Sequence, residues 1–199
     1  CKYHVCHIST KESVEIIRKA KAKGLDVTCE TAPHYLVLCD GDLQEDGKFK
    51  MNPPLREMSD VEALKCGLRD DIMDVIATDH APHGFEENNQ TFDKAPFGIV
   101  GLETAVALTV SELVETGYLT PMQMAAKMSY NPAKVIGLDR GSLEVGKVAD
   151  IVIVNPKEVY KIDVNEFASK GTNTPFNGKE VKGRVKTTIL AGEVVFQDK

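Results

Sequence analysis

Apolar positions in the first eighty residues come in short runs separated by polar stretches with helical spacing. Tyr3–Ile8 (YHVCHI), Leu25–Thr31 (LDVTCET) and Asp74–Thr78 (DVIAT) have strand composition. Between the first two, Ser9 followed by Glu12 matches a capping box. Val14, Ile17 and Ala20 then form an apolar stripe, and Gly24 supplies a stop, so a helix is expected over about Thr10 to Lys23. Residues 40–60 (DGDLQEDGKFKMNPPLREMSD) are rich in turn formers, and Asp60–Leu68 reads as a short helix. Strands alternating with helices point to parallel β/α units. Each strand closes on chemically useful groups: His7, then Glu30 and His34, then Asp79 and His83. A β/α barrel builds its active site at those strand ends.

The later pattern differs. Gly84–Pro96 is a long polar loop of the kind that borders active sites. Ile99–Glu115 is strongly apolar and is expected to form a buried helix. Thr120 can cap a helix that begins at Pro121 and runs to about Met128, and Asn131–Leu138 adds a short one. From Gly141 the texture becomes β-rich, with a continuous apolar strand at Asp150–Val154 and two runs in Arg184–Val195 broken at Ala191-Gly192. The expected division is an α/β portion over residues 1–140 and a small β-rich domain over 141–199.

Composition narrows the possible functions. A net charge of −6 and a pI near 5.4 argue against a nucleic-acid partner, which needs a basic surface. No apolar run approaches the roughly 20 residues needed to span a bilayer, so no membrane partner is expected. The start, CKYHVCHIST, lacks the apolar core of a secretory signal. The five cysteines, Cys1, Cys6, Cys29, Cys39 and Cys66, never form a C-x-x-C pair, and suit free thiols in a reducing cytoplasm. The first residue is not Met and lies inside a strand-like run, so a piece of a longer protein is expected.

The chemistry concentrates in VIATDHAPH, residues 75–83. A carboxylate at the end of a buried strand requires a cation, a hydrogen-bond network or a catalytic proton, which makes Asp79 the leading candidate. Residues three apart on a strand face opposite sides, so His4 and His7 are not expected to share a site; the terminal position favours His7. Pro82 stiffens the approach to His83, which could aim its imidazole at a substrate. Asn52, in KMNPPLR, can donate and accept at once, which suits an amide or carboxylate ligand. His34 is expected to serve orientation or structure, and His80 receives no role.

Taken in order, HVCHIST, ETAPHY, KMNPPLR, DVIATDHAPH and PFGIVGLE resemble the C-terminal half of bacterial type I dihydroorotases, members of the amidohydrolase superfamily. NPAKVIGLDRGSLEVGKVADIVIV resembles that superfamily's return from its barrel to a small β domain. The resemblance implies an α/β fold: the C-terminal part of a (β/α)₈ TIM barrel, about strands 6–8, with part of a β-sandwich. It implies a binuclear zinc centre and reversible hydrolysis of dihydroorotate to N-carbamoyl-aspartate in pyrimidine synthesis. On this reading His7 and Asp79 are metal ligands and Asp79 is also the general base. Asn52, His83, Phe97 and Gly98 fall on substrate-binding positions. A homodimer and association with aspartate transcarbamoylase are the partners it suggests. The family's H-x-H is absent from this chain, so the chain alone is expected to be inactive. Hydantoinases or allantoinases, and a non-catalytic dihydroorotase-like scaffold, are the competing readings.

Overall fold

The computed structural model describes residues 1–198, the side chain of Asn88 excepted. Strands β1 (Tyr3–Val5), β2 (Val27–Thr31) and β3 (Val75–Ile76) pair in parallel in that order. All are shorter than their apolar runs. Beyond β1 and β3 the backbone turns left-handed, with φ of 54° at His7 and 48° at Asp79, and a strand cannot continue through such residues.

Helix α1 (Lys11–Ala22) follows β1 and buries Val14 and Ile17 as its spacing requires. Its cap is Thr10 rather than Ser9: the Thr10 hydroxyl accepts from Ser13 N at 3.2 Å. Ser9 is buried and accepts from Arg56 Nε at 3.3 Å, so its hydroxyl is committed elsewhere. Gly24, with φ of 73°, ends the helix as predicted. The short α2 (Pro33–Val37) follows β2, and α3 (Met58–Arg69) precedes β3. Leu64 and Leu68 of α3 share one apolar core with Val14, Ile17, Cys29 and Met73. Each such leucine contributes about 1.5–3 kcal/mol by leaving water. Asp74 joins the layers: its carboxylate takes Lys21 Nζ at 2.8 and 2.7 Å and Cys29 N at 2.9 Å.

The loop after β3 contains a short helix, α4 (Phe85–Asn88), where only irregular chain was expected. The apolar run from Ile99 is not helical at its start. Helix α5 (Ala105–Thr109) begins six residues later and continues through wider turns over Val110–Val114. Ile99 instead bridges to His80, and Gly101 N donates to His80 Nδ1 at 3.0 Å, so these residues serve the strand end. Helices α6 (Pro121–Ala125) and α7 (Asn131–Val135) follow, the first capped by Thr120 as expected.

Strands β4 (Ile151–Lys161), β5 (Glu180–Leu190) and β6 (Glu193–Gln197) form a separate antiparallel sheet. Ala191 and Gly192, with φ of 50° and 89°, make the two-residue turn that matches the twist of its strands. Strand β5 packs on the helix after α5: Lys182 N donates to Ser111 Oγ at 2.8 Å. Gly183 sits at φ of 95°, and a Cβ there would lie 2.7 Å from Val110 Cβ.

These two glycines provide a test. Gly192 has positive φ and open space around it, whereas Gly183 has positive φ and no space. Gly192→Ala should cost about 1–2 kcal/mol, the left-handed penalty alone. Gly183→Ala should cost about 2–5 kcal/mol, because overpacking adds to that penalty. Chemical denaturation of the two variants checks the difference, and equal losses would show that the β5–α5 contact is loose.

Candidate active site

The ends of the parallel strands carry a chain of polar contacts. Thr28 Oγ1 lies 2.7 Å from His4 Nδ1, and His4 Nε2 lies 3.1 Å from Glu30 Oε2. The other carboxylate oxygen, Oε1, is 3.2 Å from His7 Nδ1. That approach is close in distance but poor in angle, so His7 Nδ1 remains a buried nitrogen without a formed hydrogen bond. His7 Nε2 then faces Asp79 Oδ1 at 3.7 Å, beyond hydrogen-bonding range.

His4 and His7 therefore do share a site, against the expectation from strand alternation. The left-handed backbone at His7 releases its side chain from the strand's two-residue period. Asp79 is left-handed as well. Non-glycine residues in this conformation cost about 1–2 kcal/mol each, and both lie where catalytic groups are expected.

The pair His7–Asp79 suits a divalent metal. Imidazole nitrogens and carboxylate oxygens bind such ions at about 2.0–2.2 Å, so two ligand atoms 3.7 Å apart can share one ion. Glu30 is only 12% exposed and faces the opposite ring nitrogen of His7. It stands where a carboxylate would orient a metal-bound imidazole, although it forms no hydrogen bond to His7 Nδ1. His4, Cys6 and Glu30 also present ligand atoms within 4.8 Å of one another. Here, however, both His4 nitrogens are already engaged, by Thr28 and Glu30.

The remaining predicted residues gather on the loops above. His83 Nε2 is 2.9 Å from the Phe97 carbonyl oxygen, which brings those two together. Gly98 N donates to Lys50 O at 2.8 Å, and Lys50 Nζ stands 4.8 Å from the exposed Phe97 ring centroid. Asn52 lies on the same stretch as Lys50 and is exposed, and its turn is anchored by Tyr35, whose hydroxyl donates to Pro53 O at 2.8 Å. No side-chain hydrogen bond joins Asn52 to the other predicted residues among the described contacts.

His34 and His80 now have surroundings. His80 Nδ1 accepts from Gly101 N, which defines its tautomer and makes it a brace for the segment after Gly98. His34 is 3% exposed and its Nε2 has no partner. Burial, and secondarily His7, hold its pKa down at about 3. Glu30 and His34 were visible as polar groups at a strand end, but their spacing carried no sign of their partners.

The amidohydrolase family profile matches residues 1–195. The chain belongs to the amidohydrolase family. It is 52% identical over 199 residues to the dihydroorotase of Pelotomaculum thermopropionicum, covering 100% of this chain and 47% of that protein. It is 51% identical over 195 residues to the dihydroorotase of Geobacter metallireducens, covering 98% of the chain and 46% of the relative. This amidohydrolase chain thus spans about half the length of the curated relatives it matches. Among solved structures, L-hydantoinase (dihydropyrimidinase) from Arthrobacter aurescens superposes with a TM-score of 0.93 at 32% identity, covering 99% of this chain and 45% of that one. Dihydropyrimidinase from Brevibacillus agri NCHU1002 gives 0.93 at 31% identity, covering 100% and 45%. No helix among the described residues is long and apolar enough to cross a membrane.

His34 makes the stability of this amidohydrolase pH-dependent. It stays neutral in the folded state and takes a proton near pH 6.5 when unfolded. Its contribution is therefore intact above pH 6.5 and is lost as pH falls toward 3, by up to about 1.4 kcal/mol per pH unit. Denaturation at pH 7, 5 and 4 should show His34→Phe losing less stability on acidification than the parent. Identical acid slopes would remove His34 from the account.

Proposed function

We propose that this chain supplies the C-terminal half of a dihydroorotase, which reversibly hydrolyses the ring amide of dihydroorotate to N-carbamoyl-aspartate. The observation that carries the reading is the approach of His7 Nε2 to Asp79 Oδ1 at 3.7 Å, in a chain about half identical to curated dihydroorotases along its whole length. On this reading residues 1–140 contribute about strands 6–8 of a (β/α)₈ barrel, and 141–199 contribute part of a small β-sandwich domain. The remaining metal ligands come from the half of the relatives that this chain does not span.

His7 and Asp79 would hold zinc, whose Lewis acidity activates water and polarises a carbonyl. Asp79 takes the proton of the attacking water as a carbon–oxygen bond forms at the ring carbonyl. As the ring carbon–nitrogen bond breaks, Asp79 returns that proton to the departing nitrogen. Ring closure reverses these transfers. His83 and Asn52 hold the substrate's carboxylate or ring edge, with Phe97 and Gly98 in contact beside them, which keeps the reacting carbonyl in place. Glu30 keeps the His7 ring oriented.

The hydantoinase alternative draws on the TM-scores of 0.93, but identity falls from 52% to 32% between the two groups. Assay of the full-length protein on dihydroorotate, hydantoin and allantoin decides between them; dihydroorotate should be turned over fastest. Asp79→Asn should lower kcat by about 10²–10⁴-fold, the usual worth of general acid–base catalysis, with the fold retained. Activity near the parent's would sink the mechanism. Glu30→Gln should weaken zinc retention by about 10–100-fold in chelator competition, and unchanged retention would mean that Glu30 does not orient His7.

A further inference from the structure

Late in the chain, the segment between β4 and β5 returns to the loops above β3. Asn173 lies in that segment and is 3% exposed. Its side chain is fully used. Oδ1 accepts from His83 N at 3.1 Å, while Nδ2 donates to Ala81 O at 2.9 Å and to Gly98 O at 3.1 Å. Its own carbonyl accepts from Val100 N at 3.1 Å. One amide thereby ties two loops together, DHAPH and PFGIVG.

The packing is close enough to make this a fixed spacer. A Cβ on Gly171 would lie 2.8 Å from Pro82 Cβ and 3.0 Å from Asn173 Oδ1. A Cβ on Gly98, which has φ of 99°, would lie 2.6 Å from Ala81 Cβ. Only an amide satisfies this set, because one acceptor and two donors are required at once. Aspartate has the shape but would set an oxygen against two carbonyl oxygens. Alanine would leave a part-buried N–H and two part-buried carbonyls without this partner.

We propose that Asn173 is a positioning residue that sets the distance between His83 and the Phe97–Gly98 backbone, and thereby the grip on an anionic cyclic-amide substrate. Its link to substrate rests on the dihydroorotase reading; its link to the loops does not. Asn173 touches none of the reacting atoms and acts on binding rather than on proton transfer.

The test uses the full-length protein and compares the parent with Asn173→Asp and Asn173→Ala. KM for dihydroorotate should rise about tenfold or more, the equivalent of one lost buried hydrogen bond, while kcat and zinc content hold. Hydrogen exchange at the amide of His83 should quicken by a similar factor. Gly171→Ala, which presses on Pro82 and Asn173 from outside and keeps the Asn173 amide, should reproduce both changes if the direct variants fold poorly. A lower melting temperature with unchanged KM would mean a purely structural residue and overturn the proposal, as would a raised KM with unchanged exchange. If the parent does not turn over dihydroorotate, the dihydroorotase reading fails, and exchange alone then decides: unchanged exchange at His83 in the variants overturns the clamp.

Discussion

The Glu30 carboxylate is the contact on which the rest of the site depends. It lies on β2, largely shielded from water, with the imidazole of His4 from β1 at one oxygen and that of His7, just past β1, at the other. A carboxylate in that setting is costly unless its oxygens are partnered; His4 hydrogen-bonds one oxygen and His7 stands 3.2 Å from the other. With Nδ1 on the Glu30 side, the His7 ring turns Nε2 toward Asp79 at 3.7 Å. Register makes this possible: His4 pairs with Thr28 and Val5 with Cys29, which places Glu30 just beyond the last paired residue of β1, beside the left-handed His7.

Backbone strain and burial work together here. A left-handed non-glycine residue follows each of β1 and β3, and each of the two is a proposed metal ligand. Such residues persist only where the surroundings over-determine them. On the β1 side the determinant is Glu30. On the β3 side it is the network around His80 and Asn173, which fastens the loops after Asp79 to segments as far as 92 residues away. The scaffold beneath, with its shared core of α1 and α3 side chains, supplies the rigidity against which those loops are held.

Much of the fold was legible in the sequence, because helices and strands impose different periods on apolar residues. The order of elements, the stop at Gly24, the cap at Thr120 and the hairpin at Ala191-Gly192 all follow from that and from turn chemistry. The errors had a common source. Ser9 looks like a cap, but Arg56 engages it. Ile99 looks like a helix start, but the end of β3 requires that stretch for pairing. Both were decided by partners distant in sequence, which local pattern does not register.

The candidate residues divide in the same way. His7, Asp79 and His83 stand out because acids and imidazoles at the ends of apolar strands demand a chemical reason. By itself the sequence determined which groups were available and that they lay on one edge of a parallel sheet. Only the tertiary structure decided that His4 and His7 converge on one carboxylate, since a left-handed residue overrides strand alternation. Only the tertiary structure gave His80 its bracing hydrogen bond and brought Asn173 against the loops that carry His83 and Gly98. Those outcomes depend on distances between segments far apart in the chain, and a one-dimensional pattern holds no record of them.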